Sequence, residues 1–293
     1  MAKLGFTANS GSNTVTIFDT KTNTVINNLS VGTGPYGVAI TPNGKFAYVA
    51  NFDSDNVFVI DVKQQSVSTI IPVGNHPAGI VISPNGKRVY VMNNGSDTVS
   101  VIDSKTNLVI ATIPVGDGPI LGAVSPNDQL LYVPNDGTDN ISIINTKTNM
   151  VIGTIAVGDG PRQVMFTPNG QFAYVTNSNS NTVSVINVQQ SMVVDTIPVN
   201  PQPRGIVMTR DGKFAYVANF GANAVSVIDI KQNIVITTIP VGLQPRGITI
   251  TSDGKFVYVA NFGSNNVSVI KVKDNVVVDT IVVEDSPIGI DVE

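Results

Sequence analysis

The only histidine of the chain, His76, stands directly before a proline, and three of its five arginines stand directly after one. A loop imidazole is suited to general-base work, which makes His76 the one weak candidate for a catalytic residue. Arg162, Arg204 and Arg246 each offer a planar fork of N–H donors that matches a carboxylate, a phosphate or a sugar acid. Phe220 and Phe262 follow a recurring asparagine close by in sequence and would supply an apolar wall to such a site. These five residues form the expected ligand-binding set. Other chemistries are excluded or unsupported. The absence of cysteine removes thiolate nucleophiles, thiolate metal sites and disulfides. There is no Gly-x-Ser-x-Gly elbow, His-Glu-x-x-His helix or Walker loop. Aspartates such as Asp53, Asp55, Asp136 and Asp139 lack the dense spacing of a dedicated calcium loop. Neither a metal nor a cofactor is expected.

A net charge of -4 argues against nucleic acid, whose phosphates demand a basic surface. No apolar run approaches the ~20 residues of a membrane-spanning helix, and Met1 to Phe6 lacks the apolar stretch of a signal peptide. A soluble monomer is expected, with a protein, a glycan or a small anionic ligand as partner.

The candidate residues acquire positions once the repeats are seen. An aromatic residue recurs every 42 residues, at Phe6, Tyr48, Tyr90, Tyr132, Tyr174, Tyr216 and Tyr258. Three residues after each comes an asparagine, from Asn9 to Asn261, and a proline column runs from Pro35 to Pro287 with the same period. One unit reads as four short strands, Gly37 to Thr41, Phe46 to Ala50, Val57 to Val62 and Val67 to Val73. They are called A to D. The Asn43-Gly44 turn joins A to B as a hairpin, and β-branched and aromatic residues fill the strands. Units of this size and strand number are propeller blades, which stack because one small sheet cannot bury both faces alone.

The ends of the chain set the number of blades. Pro287 to Glu293 aligns with strand A alone, whereas Leu4 to Ala8, Val15 to Asp19 and Val25 to Val31 align with strands B, C and D. Residues 1–293 therefore read as one all-β domain, a seven-bladed β-propeller with four antiparallel strands per blade, closed by pairing the C-terminal strand A with N-terminal strands B, C and D. The asparagine and proline columns, needed identically by every blade, read as scaffold. Function belongs where the blades differ. The residue after the proline reads Tyr36, Ala78, Ile120, Arg162, Arg204, Arg246 and Ile288, so three consecutive blades place arginine at the upper mouth of the channel.

The motifs Tyr-Val-x-Asn, Pro-Asn-Gly-Lys and Asn-x-Val-Ser-Val-Ile-Asp, with the Val-Gly-x-x-Pro connection, resemble the YVTN-type propeller repeats of surface-layer-related proteins in archaea and bacteria. Phe6, Thr7 and Pro134 are small departures from that pattern. The resemblance implies a cell-surface or secreted setting. One histidine, where such catalytic sites generally want more, and the lack of a catalytic motif lead to the expectation of a non-catalytic binding or surface-scaffold role, with a ligand site on the top face. The alternative is a lactonase- or polysaccharide-lyase-type propeller enzyme working at the upper channel mouth with His76 and the arginines.

Overall fold

The computed structural model describes residues 3–293; Met1 and Ala2, which the single-domain reading included, lie outside the described residues. Seven four-stranded antiparallel sheets surround a central channel. In the second blade the strands are Pro35–Ile40, Phe46–Asn51, Asn56–Asp61 and Ser66–Pro72, innermost to outermost. The same order repeats around the ring. No α-helix occurs among the described residues; the one helical turn is the 3-10 segment Phe220–Ala222, on the top face of the sixth blade.

The first blade is built from both ends of the chain. Pro287–Val292 pairs with Leu4–Asn9, followed outward by Thr14–Asp19 and Thr24–Ser30. The register sets Phe6 opposite Asp291 and Gly5 opposite Val292. Glu293 N–H donates to the Leu4 carbonyl at 3.0 Å, and Leu4 N–H donates to the Glu293 carboxylate at 3.0 Å, so the terminal residues bond reciprocally. Closure of this kind removes the open sheet edge that an incomplete ring would expose.

The core lies between blades. One cluster joins Phe6, Val15 and Ile17 of the first blade to Val38, Val49 and Ile60 of the second, and each of the other joints is filled likewise. Six tyrosines and Phe6 sit in these joints, fully or almost fully buried. Each contributes roughly 1.5–3 kcal/mol by leaving water. The asparagine column proves structural as expected. Asn93 Nδ2 donates to Thr98 Oγ1 at 3.0 Å and Ser100 Oγ at 2.9 Å, tying strand B to strand C; Asn177 does the same through Thr182 and Ser184, and Asn261 through Asn266 Oδ1 and Ser268.

Around the channel the inner strands approach so closely that side chains are excluded. A Cβ on Gly37 would lie 2.7 Å from the Ala78 carbonyl oxygen, and one on Gly205 would lie 2.5 Å from the Arg246 carbonyl oxygen. Five of the seven equivalent positions are therefore glycine, and Leu121 and Gln163 fill the other two.

Leu121 sits in the one irregular inner strand. The fourth blade keeps only Ala123–Val124 of it as regular strand, plus a bridge between Pro119 and Asn135. The departure at Pro134 accounts for this, because proline has no N–H to offer a ladder bond to the inner strand. Leu121 turns instead to the fifth blade. Its N–H donates to the Arg162 carbonyl at 3.2 Å, and its carbonyl accepts from Val164 N–H at 3.3 Å. The sequence alone suggested a fourth inner strand like the others; the structure corrects that and shows that the detour clamps the backbone of Arg162.

Candidate functional site

Two columns of the repeat meet at the upper mouth. The residue after the proline opens each inner strand, and the residue after the asparagine opens each top loop between strands B and C. The first column brings Arg162, Arg204 and Arg246 around one pocket, together with Tyr36, Ala78, Ile120 and Ile288. The glycine, Leu121 and Gln163 layer forms its floor. One side of the mouth is cationic and aromatic, and the other is aliphatic.

The second column supplies the rings. Arg204 lies over Phe220 with its guanidinium carbon 4.9 Å from the ring centre. Arg246 lies between three rings, 4.8 Å from Phe262, 5.7 Å from Phe220 and 5.5 Å from Tyr36. The faces of these rings favour a nearby cation and hold the guanidinium planes in place. Tyr36 stacks on Phe52 at 5.9 Å, and Phe52 stacks on His76 at 4.6 Å. The five residues of the expected ligand set are thus brought together. His76 is not beside the arginines: it is exposed at the far end of an arc that runs through Phe52 and Tyr36.

His76 also has a backbone reason for its place. Its φ is 49°, the left-handed conformation that Gly34, Gly118 and Gly160 adopt at the same point of other blades. Its N–H donates to Asp55 at 2.7 Å. The same loop bond joins Gly118 N–H to Asp97 and Gly160 N–H to Asp139, each at 2.8 Å. These top-loop aspartates hold backbone. Among the described residues no group of three or more metal-ligating side chains is gathered.

Electrostatics single out Arg204. Arg162 pairs with Asp136 at 3.2 Å, whereas among the described residues neither Arg204 nor Arg246 makes an ion pair. Burial, reinforced by the charges of Arg162 and Arg246, pushes the Arg204 guanidinium down to about 10. Its Nε is buried without a hydrogen-bond partner, and so is Asp136 Oδ1. Three cations sharing one carboxylate leave an excess of positive charge facing the pocket, which suits an anion or a developing oxyanion. Tyr36, Phe52 and Asp136 were not among the expected site residues, although the first shares the arginine column and the other two share the phenylalanine column.

A family model described as the seven-bladed β-propeller lactonase matches residues 121–277, more than half of the chain. No protein of curated function matches the sequence. Among solved structures, hydrazine synthase of Kuenenia stuttgartiensis superposes with a TM-score of 0.83 at 28% identity, over 90% of each chain. The periplasmic gluconolactonase of Pseudomonas aeruginosa gives 0.83 at 18% identity, over 100% of this chain and 99% of that one. A candidate 6-phosphogluconolactonase of Bacteroides uniformis gives 0.83 at 20% identity, over 100% of both chains. Likeness at the last two identities establishes the fold alone.

The family match overturns the expectation of a non-catalytic binding or surface-scaffold module, and it lends nothing to the surface-layer setting or the polysaccharide-lyase option. The scarcity of histidine misled that reading. A lactone is a reactive ester, so donors that stabilise its oxyanion can carry much of the catalysis. Among the described residues no helix is long and apolar enough to cross a membrane. With four strands per blade, a closed ring of seven and a model match across more than half its length, the chain belongs to the seven-bladed β-propeller lactonase family.

Proposed function

We propose that the protein hydrolyses a small lactone carrying an anionic group, at the upper mouth of the channel. The observation that carries this reading is the partly buried Arg204, which lies between Arg162 and Arg246 with no carboxylate of its own. In the reaction water adds to the lactone carbonyl carbon, the carbonyl oxygen becomes an oxyanion, the ring C–O bond breaks, and the departing oxygen takes a proton to give a hydroxy acid. Arg204 and Arg246 supply the donors for the oxyanion and the anionic substituent. Asp136, the carboxylate that stands with the arginines, takes the proton from the attacking water. Phe220, Phe262 and Tyr36 keep the guanidinium groups in register. Ala78, Ile120 and Ile288 cover the apolar face of the ring. The Tyr-Val-x-Asn repeat enters this reading as the scaffold of a lactonase-type ring.

The test is turnover of gluconolactone and its 6-phosphate ester by the parent protein and variants. Arg204→Ala and Asp136→Asn are each expected to lower kcat/KM by about 100-fold or more. His76→Ala, which removes only the outer end of the aromatic arc, should change it by less than about tenfold. A parent protein that leaves both lactones untouched would overturn the reading.

A further inference from the structure

The lower half of the channel holds a second cavity, of about 330 Å³, that the proposed reaction does not use. Its wall is mostly aliphatic and includes Val38, Ile80, Val164 and Ile248. At the seven equivalent inner-strand positions that run from Ala39 to Asp291, five residues are apolar, and the two polar ones, Thr249 and Asp291, belong to neighbouring blades. A carboxylate at this point of the repeat occurs once.

Asp291 accepts three hydrogen bonds, all from neutral donors, and Oδ2 keeps room for another. Its Oδ2 accepts from Ile40 N–H at 2.9 Å, and its Oδ1 accepts from Val292 N–H at 3.0 Å and from the Thr249 hydroxyl at 3.2 Å. It has no countercharge: among the described residues no cation pairs with it, and Arg210 acts on it only from a distance. A carboxylate in an apolar enclosure without a cation is costly, and apolar pockets with a few convergent polar groups are where small molecules bind. We propose that the lower channel is a second binding site, for a small apolar molecule bearing a protonated amine or amidine, whose cation pairs with Asp291 and whose body lies against the aliphatic wall. This site is separate from the arginine mouth and does not depend on the reaction proposed there.

Calorimetric titration at about pH 8 with benzamidine, and with benzamide as its neutral twin, tests the site. Benzamidine is expected to bind the parent with a Kd below about 1 mM, and benzamide at least tenfold more weakly. Asp291→Asn should weaken benzamidine by about tenfold or more. Val81→Phe, which fills the cavity from another part of its wall and leaves Asp291 in place, should weaken it as much. Arg210→Ala, which removes the competing positive charge, should tighten it. Melting curves identify any variant that fails to fold; should Asp291→Asn be one, Val81→Phe and the neutral twin carry the test. The proposal is overturned if benzamidine does not bind the parent at about 10 mM, if benzamide binds equally well, or if folded variants at Asp291 and Val81 bind like the parent.

Discussion

The Tyr258 hydroxyl donates to the Asn23 side-chain oxygen at 2.8 Å, across the joint between the last blade and the first. The bond recurs in three other joints, as Tyr48 to Asn107 at 2.7 Å, Tyr174 to Asn233 at 2.6 Å and Tyr216 to Asn275 at 2.5 Å. In each case a buried tyrosine reaches a turn asparagine that holds a left-handed backbone, Asn23 with φ 55° and Asn107 with φ 56°. Burial pushes the Tyr258 hydroxyl up to about 12, so it remains a donor throughout the ordinary pH range. Where the column has Phe6 instead, the corresponding turn residue is Gln65 rather than asparagine.

Tyr258→Phe should therefore cost about 1 kcal/mol, the net worth of one such bond with some penalty for the stranded asparagine. Tyr48→Phe should cost a similar amount. Urea denaturation of the two variants beside the parent measures both.

Removing Pro287 to Glu293 deletes the inner strand of the first blade and exposes the edge of Leu4–Asn9. Stability should fall by several kcal/mol, the scale seen when a core element is lost. A deletion variant with the melting temperature of the parent would contradict closure by this strand.

Arg204 has its guanidinium pushed down to about 10 by burial and by its two arginine neighbours. A bound anion favours the charged form, so binding above about pH 9 should take up protons and should weaken as the pH rises through 10. Titrating gluconate between pH 8 and 11 should show at least a tenfold loss of affinity in the parent, and Arg204→Gln should bind weakly with little dependence on pH.

Asp291 makes a prediction about stability rather than binding. Burial raises its carboxyl from 3.8 to about 6 in the folded protein, so between those values the folded state holds the extra proton. Its contribution is full below about pH 4 and is lost as the pH rises through 6, about 3 kcal/mol in all. The stability difference between parent and Asp291→Asn should move in favour of the asparagine variant over that range, as read from urea midpoints at pH 4, 5, 6 and 7.

The repeat makes the ring legible in the sequence. Period, strand number and closure all follow from residues that every blade needs, such as the asparagine and proline columns. The mouth was legible in part. Arg162, Arg204 and Arg246 stood out because they share a type, whereas Tyr36 in their column and Phe52 and Asp136 in the next change type from blade to blade and join the site only through the curvature of the ring. Pro134 was visible as a departure, but its effect runs through a missing N–H and a strand that changes partners. The catalytic class was misread because one histidine looked too few, and the unpaired charge on Arg204 depends on burial that sequence spacing does not report.

Pairing of Pro287–Val292 with Leu4–Asn9 also sets a timetable for the nascent chain. Synthesis delivers the outer three strands of the first blade before the other six blades and their inner partner after them. Throughout that interval Leu4–Asn9 presents an unsatisfied edge, and the joints on either side of the first blade cannot both be complete. Six blades can assemble while the ribosome is still working, but the circle, and with it the enclosed channel, exists only after the last strand of the ring has left the exit tunnel.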